Sequence, residues 1–151
     1  MTAAAIFRAF QNRREPVYLL DTNILSEFVK KKPNRGLMDK IKEVEPSLIF
    51  TSSVTVMEMR FGASNREDGL HFWKRLQDEI FSRVSILGFN EHEALICGDI
   101  LSKLTRKGTP IGIEDAMIGS IAISNRCTIV TANTRHFERL PGLKIENWLS
   151  V

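Results

Sequence analysis

Three acidic residues stand where an α/β chain would use them for chemistry. Asp21 directly follows the apolar run Val17-Tyr18-Leu19-Leu20. Glu58 lies between Met57 and Met59 in a largely apolar segment, and Asp115, beside Glu114, opens a helical pattern introduced by Gly112. Each has an ordinary reading. Asp21 or Asn23 suits the N-cap of the helix that follows, Glu114 and Asp115 suit the first turn of theirs, and Arg60 is a nearby ion-pair partner for Glu58. Glu58 stands out because a carboxylate in apolar surroundings needs a partner, the loss of its hydration being costly. Together the three say more than each alone. Like charges converge only around a cation, and a cluster of hard oxygens selects Mg2+ or Mn2+. Such an ion turns water into a nucleophile and stabilises charge on a phosphoryl oxygen, so phosphodiester hydrolysis is the chemistry implied.

The elements that must position these acids alternate along the chain. Short apolar, β-prone runs at 17–20, 48–51, 84–87, 128–131 and 143–145 read as strands buried on both faces. Helical patterns at 24–31, 37–44, 54–63, 70–81, 91–107 and 113–124 lie between them, with Pro33-Asn34 and Gly108 as breaks. In the 70–81 segment Leu70, Trp73, Leu76, Gln77 and Ile80 recur at helical spacing. In the 91–107 segment the recurring positions are Ala94, Leu95, Cys97, Ile100, Leu101 and Leu104. The alternation predicts one α/β domain with a central parallel sheet of four to five strands and helices on both faces. In such a sheet ligands bind beyond the carboxyl ends of the strands, where Asp21, Thr22, Asn23, Thr51, Thr131 and Asn133 fall. Residues 1–16, with Arg8, Arg13 and Arg14 but few core formers, read as an N-terminal extension to a domain spanning 17–151.

Composition narrows the class. The chain has 151 residues, 43% of them hydrophobic and 26% charged, which is ordinary for one globular domain and excludes disorder, collagen and a disulfide scaffold. No apolar run approaches the ~18 residues that cross a bilayer, and Arg8 interrupts the apolar N-terminus, so a cytoplasmic protein is expected. Cys97 and Cys127, far apart and without CxxC spacing, read as buried thiols. The formal charge of +3 permits a nucleic-acid partner.

Other constellations fall away. No GxGxxG occurs, and 108–112 lacks the Lys and Ser/Thr of a phosphate-cradling loop. His71, His92 and His136 have no zinc spacing with the cysteines, and Trp73 and Trp148 suit packing better than base stacking. Asp21-Thr22-Asn23 is similar to the opening of aspartyl phosphotransferases, but Asn23 replaces their second acid.

Four segments in order, LLDTNILSE (19–27), SSVTVMEMRFGA (52–63), GTPIGIEDAMIGSIAI (108–123) and IVTANTRHFERLPGLKIENW (129–148), resemble the PIN-domain ribonucleases, specifically the VapC-type toxins of type II toxin–antitoxin modules. The resemblance spans 17–148. It implies that Asp21, Glu58 and Asp115 bind Mg2+ or Mn2+, and it selects Asp115 over Glu114. Asn133 takes the place of a further polar or acidic group of the catalytic set, and His136 stands where many relatives carry Asp or Glu. Thr22, Asn23 and Thr131 would orient ligands or waters. The implied activity is metal-dependent cleavage of RNA, tRNA being the usual class, in a homodimer silenced by a cognate antitoxin. Arg60 and Arg135 are the foremost candidate RNA contacts, with Lys103, Arg106 and Lys107 behind them. The alternative is a non-catalytic PIN-like module that binds RNA or protein.

Overall fold

A computed structural model describes residues 15–149. Five parallel strands form one sheet in the order β3-β2-β1-β4-β5. They are β1 (Tyr18–Leu20), β2 (Ile49–Ser52), β3 (Ser85–Leu87), β4 (Thr128–Val130) and β5 (Lys144–Glu146). The three central strands are buried along their whole length, while β3 and β5 are partly exposed, as edges are. The sheet is the one read from the apolar runs.

Side-chain alternation divides the core in two. Leu19, Phe50 and Ile129 face a layer that includes Val54, Ile118, Ile121, Ala122 and Phe137. Tyr18, Leu20, Ile49 and Val130 face the opposite layer, with Ile24, Leu25, Leu37, Leu76, Ile80 and Trp148. Each such fully buried side chain contributes about 1.5–3 kcal/mol of hydrophobic stabilisation. Trp148 packs edge-on against Tyr18 at 4.8 Å between ring centroids, and both cysteines are buried and free, as their positions suggested.

The helices are α1 (Thr22–Glu27), α2 (Arg35–Glu43), α3 (Ser53–Ser64), α4 (Gly69–Leu76), α5 (Glu91–Arg106), α6 (Ile113–Ser124) and the short α7 (Thr134–Phe137). Several boundaries differ from the sequence reading. Helix α1 starts at Thr22 because Asp21 caps it. It stops at Glu27, ahead of three lysines and Pro33, where the Pro ring disfavours a helical residue before it. The 70–81 pattern is helical only to Leu76 and then widens into a π turn, Gln77–Phe81. Leu70 and Leu95, counted with the apolar stripes, are exposed, since the buried stripes run through Leu76 and Ile80 in one case and Cys97, Ile100 and Leu104 in the other. Helix α7 is too short to leave a periodic signal. Of the extension read at 1–16, only Glu15 and Pro16 fall within the described residues, and both are exposed. Among the described residues no helix is long and apolar enough to cross a membrane.

The order of the strands fixes where a ligand can sit. The chain runs outward from β1 through β2 to β3, then returns to the other side of β1 for β4 and β5. The carboxyl ends of β1 and β4 therefore flank the point where the winding reverses, the place where open α/β sheets hold their ligands.

Candidate active site

Asp21 occupies that point. It follows β1, its backbone N–H donates to Val130 O of β4 at 3.0 Å, and the residue is 4% exposed. Oδ1 accepts the Thr22 backbone N–H at 2.7 Å, the capping bond of α1, and Oδ2 accepts the Thr131 hydroxyl at 2.9 Å. Capping and chemistry are thus not alternatives: the cap aims the carboxylate. Thr131, at the end of β4, also accepts the Asn133 backbone N–H at 3.0 Å, and Asn23 Oδ1 accepts that of Ala132 at 3.2 Å. The loop after β4 is thereby pinned to the loop after β1.

Glu58 comes from α3. Ser52 at the end of β2 caps this helix by accepting the Thr55 N–H at 2.9 Å, which directs the second turn over the sheet edge. There Glu58 Oε2 accepts the Thr22 hydroxyl at 2.7 Å. Arg60, the ion-pair partner weighed from sequence, instead lies over the Trp73 ring at 4.9 Å. Asp115 sits in the first turn of α6, and its Oδ2 is 2.8 Å from His136 Nδ1 of α7.

These acids share one cleft of about 460 Å³, lined by Asp21, Thr22, Asn23, Ser26, Lys30, Glu58, Asp115 and Asn133. Thr131 supports it from beneath. Arg60 and Arg135 do not line it: Arg60 faces a separate recess with Ser64 and Arg66, and Arg135 is exposed on α7. Ser26, Lys30 and the His136 contact escaped the sequence reading. Ser26 and Lys30 follow Thr22 at four-residue spacing, the one signal in the sequence that could have found them.

Electrostatics mark the cleft. Burial pushes the Asp21 carboxyl above the usual range against the lowering effect of its Thr22 and Thr131 hydrogen bonds, and the Asp115 charge adds to the rise. Glu58 is raised too, first by burial and then by the charges of Asp21, Asp115 and Glu114, with the Thr22 bond opposing. Among the described residues no lysine or arginine forms an ion pair with Asp21, Glu58 or Asp115. Nor do any three acidic, His or Cys side chains there converge tightly enough to grip a bare ion between them. The donor set nevertheless fits a hydrated divalent ion. Three carboxylates and an amide surround a cleft with room for water, and Mg2+ keeps several waters and takes few protein ligands.

Comparison with known proteins gives the family. The PIN domain family model matches residues 18–143. The tRNA(fMet)-specific endonuclease VapC of Salmonella typhimurium is 37% identical over 136 residues, covering 87% of this chain and 97% of its own. Ribonuclease VapC2 of Rickettsia felis is 32% identical over 132 residues, with 87% and 98% covered. The crystal structure of DNA-bound VapBC from Salmonella typhimurium superimposes with a TM-score of 0.80 at 34% identity, over 89% of this chain and 99% of that one. With three acids and Asn133 from its four motifs lining one cleft at the switch point of the sheet, this chain belongs to the PIN-domain family and, within it, to the VapC-type toxins.

Proposed function

We propose that this protein is an endoribonuclease toxin that hydrolyses RNA phosphodiester bonds with a Mg2+ or Mn2+ ion held by Asp21, Glu58 and Asp115. The observation that carries this reading is the set of three carboxylates lining one cleft, two of them raised by burial and by neighbouring carboxylate charge, with no lysine or arginine paired to any of the three among the described residues. When bound, a divalent cation acidifies a water and offsets charge developing on the phosphoryl oxygens. The chain's own groups prepare that site. Thr131 and the Thr22 N–H fix both oxygens of Asp21, the Thr22 hydroxyl fixes Glu58, and His136 fixes one oxygen of Asp115. Asn133 places an amide at the rim, able to orient a ligand or water without adding charge.

The names of the relatives, tRNA(fMet)-specific endonuclease and ribonuclease, support RNA as substrate and make tRNA the first class to test. The VapBC structure supports a cognate antitoxin as the silencing partner, and a homodimer is the assembly we expect.

The test is cleavage of total cellular RNA by protein freed of any co-purifying partner, with Mg2+, Mn2+ or EDTA, beside Asp21→Asn. Discrete fragments that require both metal and Asp21 support the proposal. Saturable RNA binding by folded protein without metal-dependent cleavage replaces it with the non-catalytic binding module.

A further inference from the structure

We infer that Lys30 is a phosphate-binding residue of this cleft, holding the RNA backbone phosphate next to the one being cut, and that Glu27 positions it. The inference rests on the nuclease reading above. Lys30 is the sole basic residue lining the cleft among the described residues. Its side chain is 61% exposed, yet its ammonium is anchored 2.6 Å from Oε2 of Glu27, whose side chain is only 11% exposed. Glu27 is itself held, since Oε1 accepts the Asn34 backbone N–H at 3.0 Å. An exposed lysine ordinarily loses entropy when it binds. Here the head group is already restrained at the cleft, with two N–H donors beyond the one used on Glu27.

Lys30 is not the counter-ion of the acids. Its ion pair is with Glu27, and among the described residues no lysine pairs with Asp21, Glu58 or Asp115. It therefore belongs to the rim. An RNA strand entering a cleft with three carboxylates is repelled, and a divalent ion leaves one of their negative charges uncompensated. Lys30 gives the entering strand a local N–H donor for a phosphate oxygen at the rim, away from those acids. Its compact ammonium suits a phosphate oxygen, reading backbone and not base.

The experiment measures both binding and cleavage of fluorescein-labelled unfractionated tRNA. Lys30→Gln and Lys30→Arg are compared with the parent, each also in the Asp21→Asn background so that binding is read without turnover. The expected result for Lys30→Gln is a Kd and a KM raised about three- to tenfold with kcat within about twofold. The dependence of log K on log salt should be shallower by about 0.7–0.9, one phosphate contact, with Lys30→Arg restoring most of it. Parent-like Kd, KM and salt slope in Lys30→Gln, while the parent cleaves, would overturn the inference and leave the nuclease standing. So would a fall in kcat alone. A parent that binds tRNA with a Lys30-dependent slope yet never cuts it refutes the nuclease and keeps the phosphate contact. A parent that does not bind tRNA overturns the inference.

Discussion

The hydroxyl of Thr22 donates to Glu58 Oε2 at 2.7 Å and so ties the exit of β1 to the second turn of α3, across 36 residues of sequence. The same threonine gives its backbone N–H to Asp21. One residue therefore sets the relative placement of two carboxylates from different elements. Thr55 Oγ1 lies 3.3 Å from the Thr22 hydroxyl and 3.1 Å from that of Ser52, a chain of hydroxyls that ends on the charged acceptor.

Thr22→Val keeps the shape and removes the hydroxyl, leaving Glu58 without that donor. Metal affinity or kcat should fall about 10- to 100-fold, the usual cost of losing a group that orients a ligand. Thr22→Ser should retain most activity. Titration calorimetry with Mn2+ beside cleavage kinetics checks this, and a fully active Thr22→Val would show that Glu58 needs no such support.

His136 makes a comparable contact on the other side. Its Nδ1 faces Asp115 Oδ2 at 2.8 Å, so a ring from α7 occupies one oxygen of the α6 carboxylate and leaves the other for the cleft. His136→Ala should lower kcat about 10-fold or more without unfolding the protein, because the side chain is half exposed. His136→Gln, which still reaches Asp115 with an amide N–H, should recover part of the loss. Equal activity in Ala and Gln variants would separate this contact from catalysis.

The raised carboxyls make a prediction about stability without metal. A carboxyl raised in the folded state favours folding most while it is protonated. That contribution is full below the ordinary carboxylate pKa and is lost as pH climbs through the raised values of Asp21 and Glu58. At neutral pH in EDTA, Asp21→Asn and Glu58→Gln should therefore melt above the parent, by about 2–4 °C each. Adding Mn2+ should raise the parent's Tm more than either variant's. If the variants melt lower than the parent in EDTA, the charges are compensated by something other than metal.

Much of this site was legible in the sequence, for identifiable reasons. Asp21 follows a buried strand, and the α/β winding places any such residue at the ligand-binding edge. Glu58 was legible from its apolar neighbours. Asp115 was not separable from Glu114 by spacing, because both lie in the first turn of α6. The resemblance selected Asp115, which does line the cleft. Lys30 was not singled out, because one lysine among Lys30, Lys31 and Lys32 reads as ordinary surface charge. Buried Glu27 bonds both Lys30 and the Asn34 N–H, and such a tertiary arrangement leaves no mark on periodicity. The sheet was read accurately because its central strands are buried on both faces and so carry unbroken apolar runs.

Helix α4 tests where periodicity misleads. Leu70 and Leu76 carry the same side chain in one helix, but Leu70 is 84% exposed and Leu76 is 0% exposed within the layer under Tyr18 and Leu20. Helical spacing alone groups them, but of the helix that starts at Gly69 only Leu76 is buried. Leu76→Ala should cost about 2–5 kcal/mol through lost burial and the cavity left behind. Leu70→Ser should change stability by less than about 0.5 kcal/mol, as surface substitutions do. Chemical denaturation of the two variants separates them, and comparable losses at both positions would mean that Leu70 is covered in solution by a partner or a second copy of the chain.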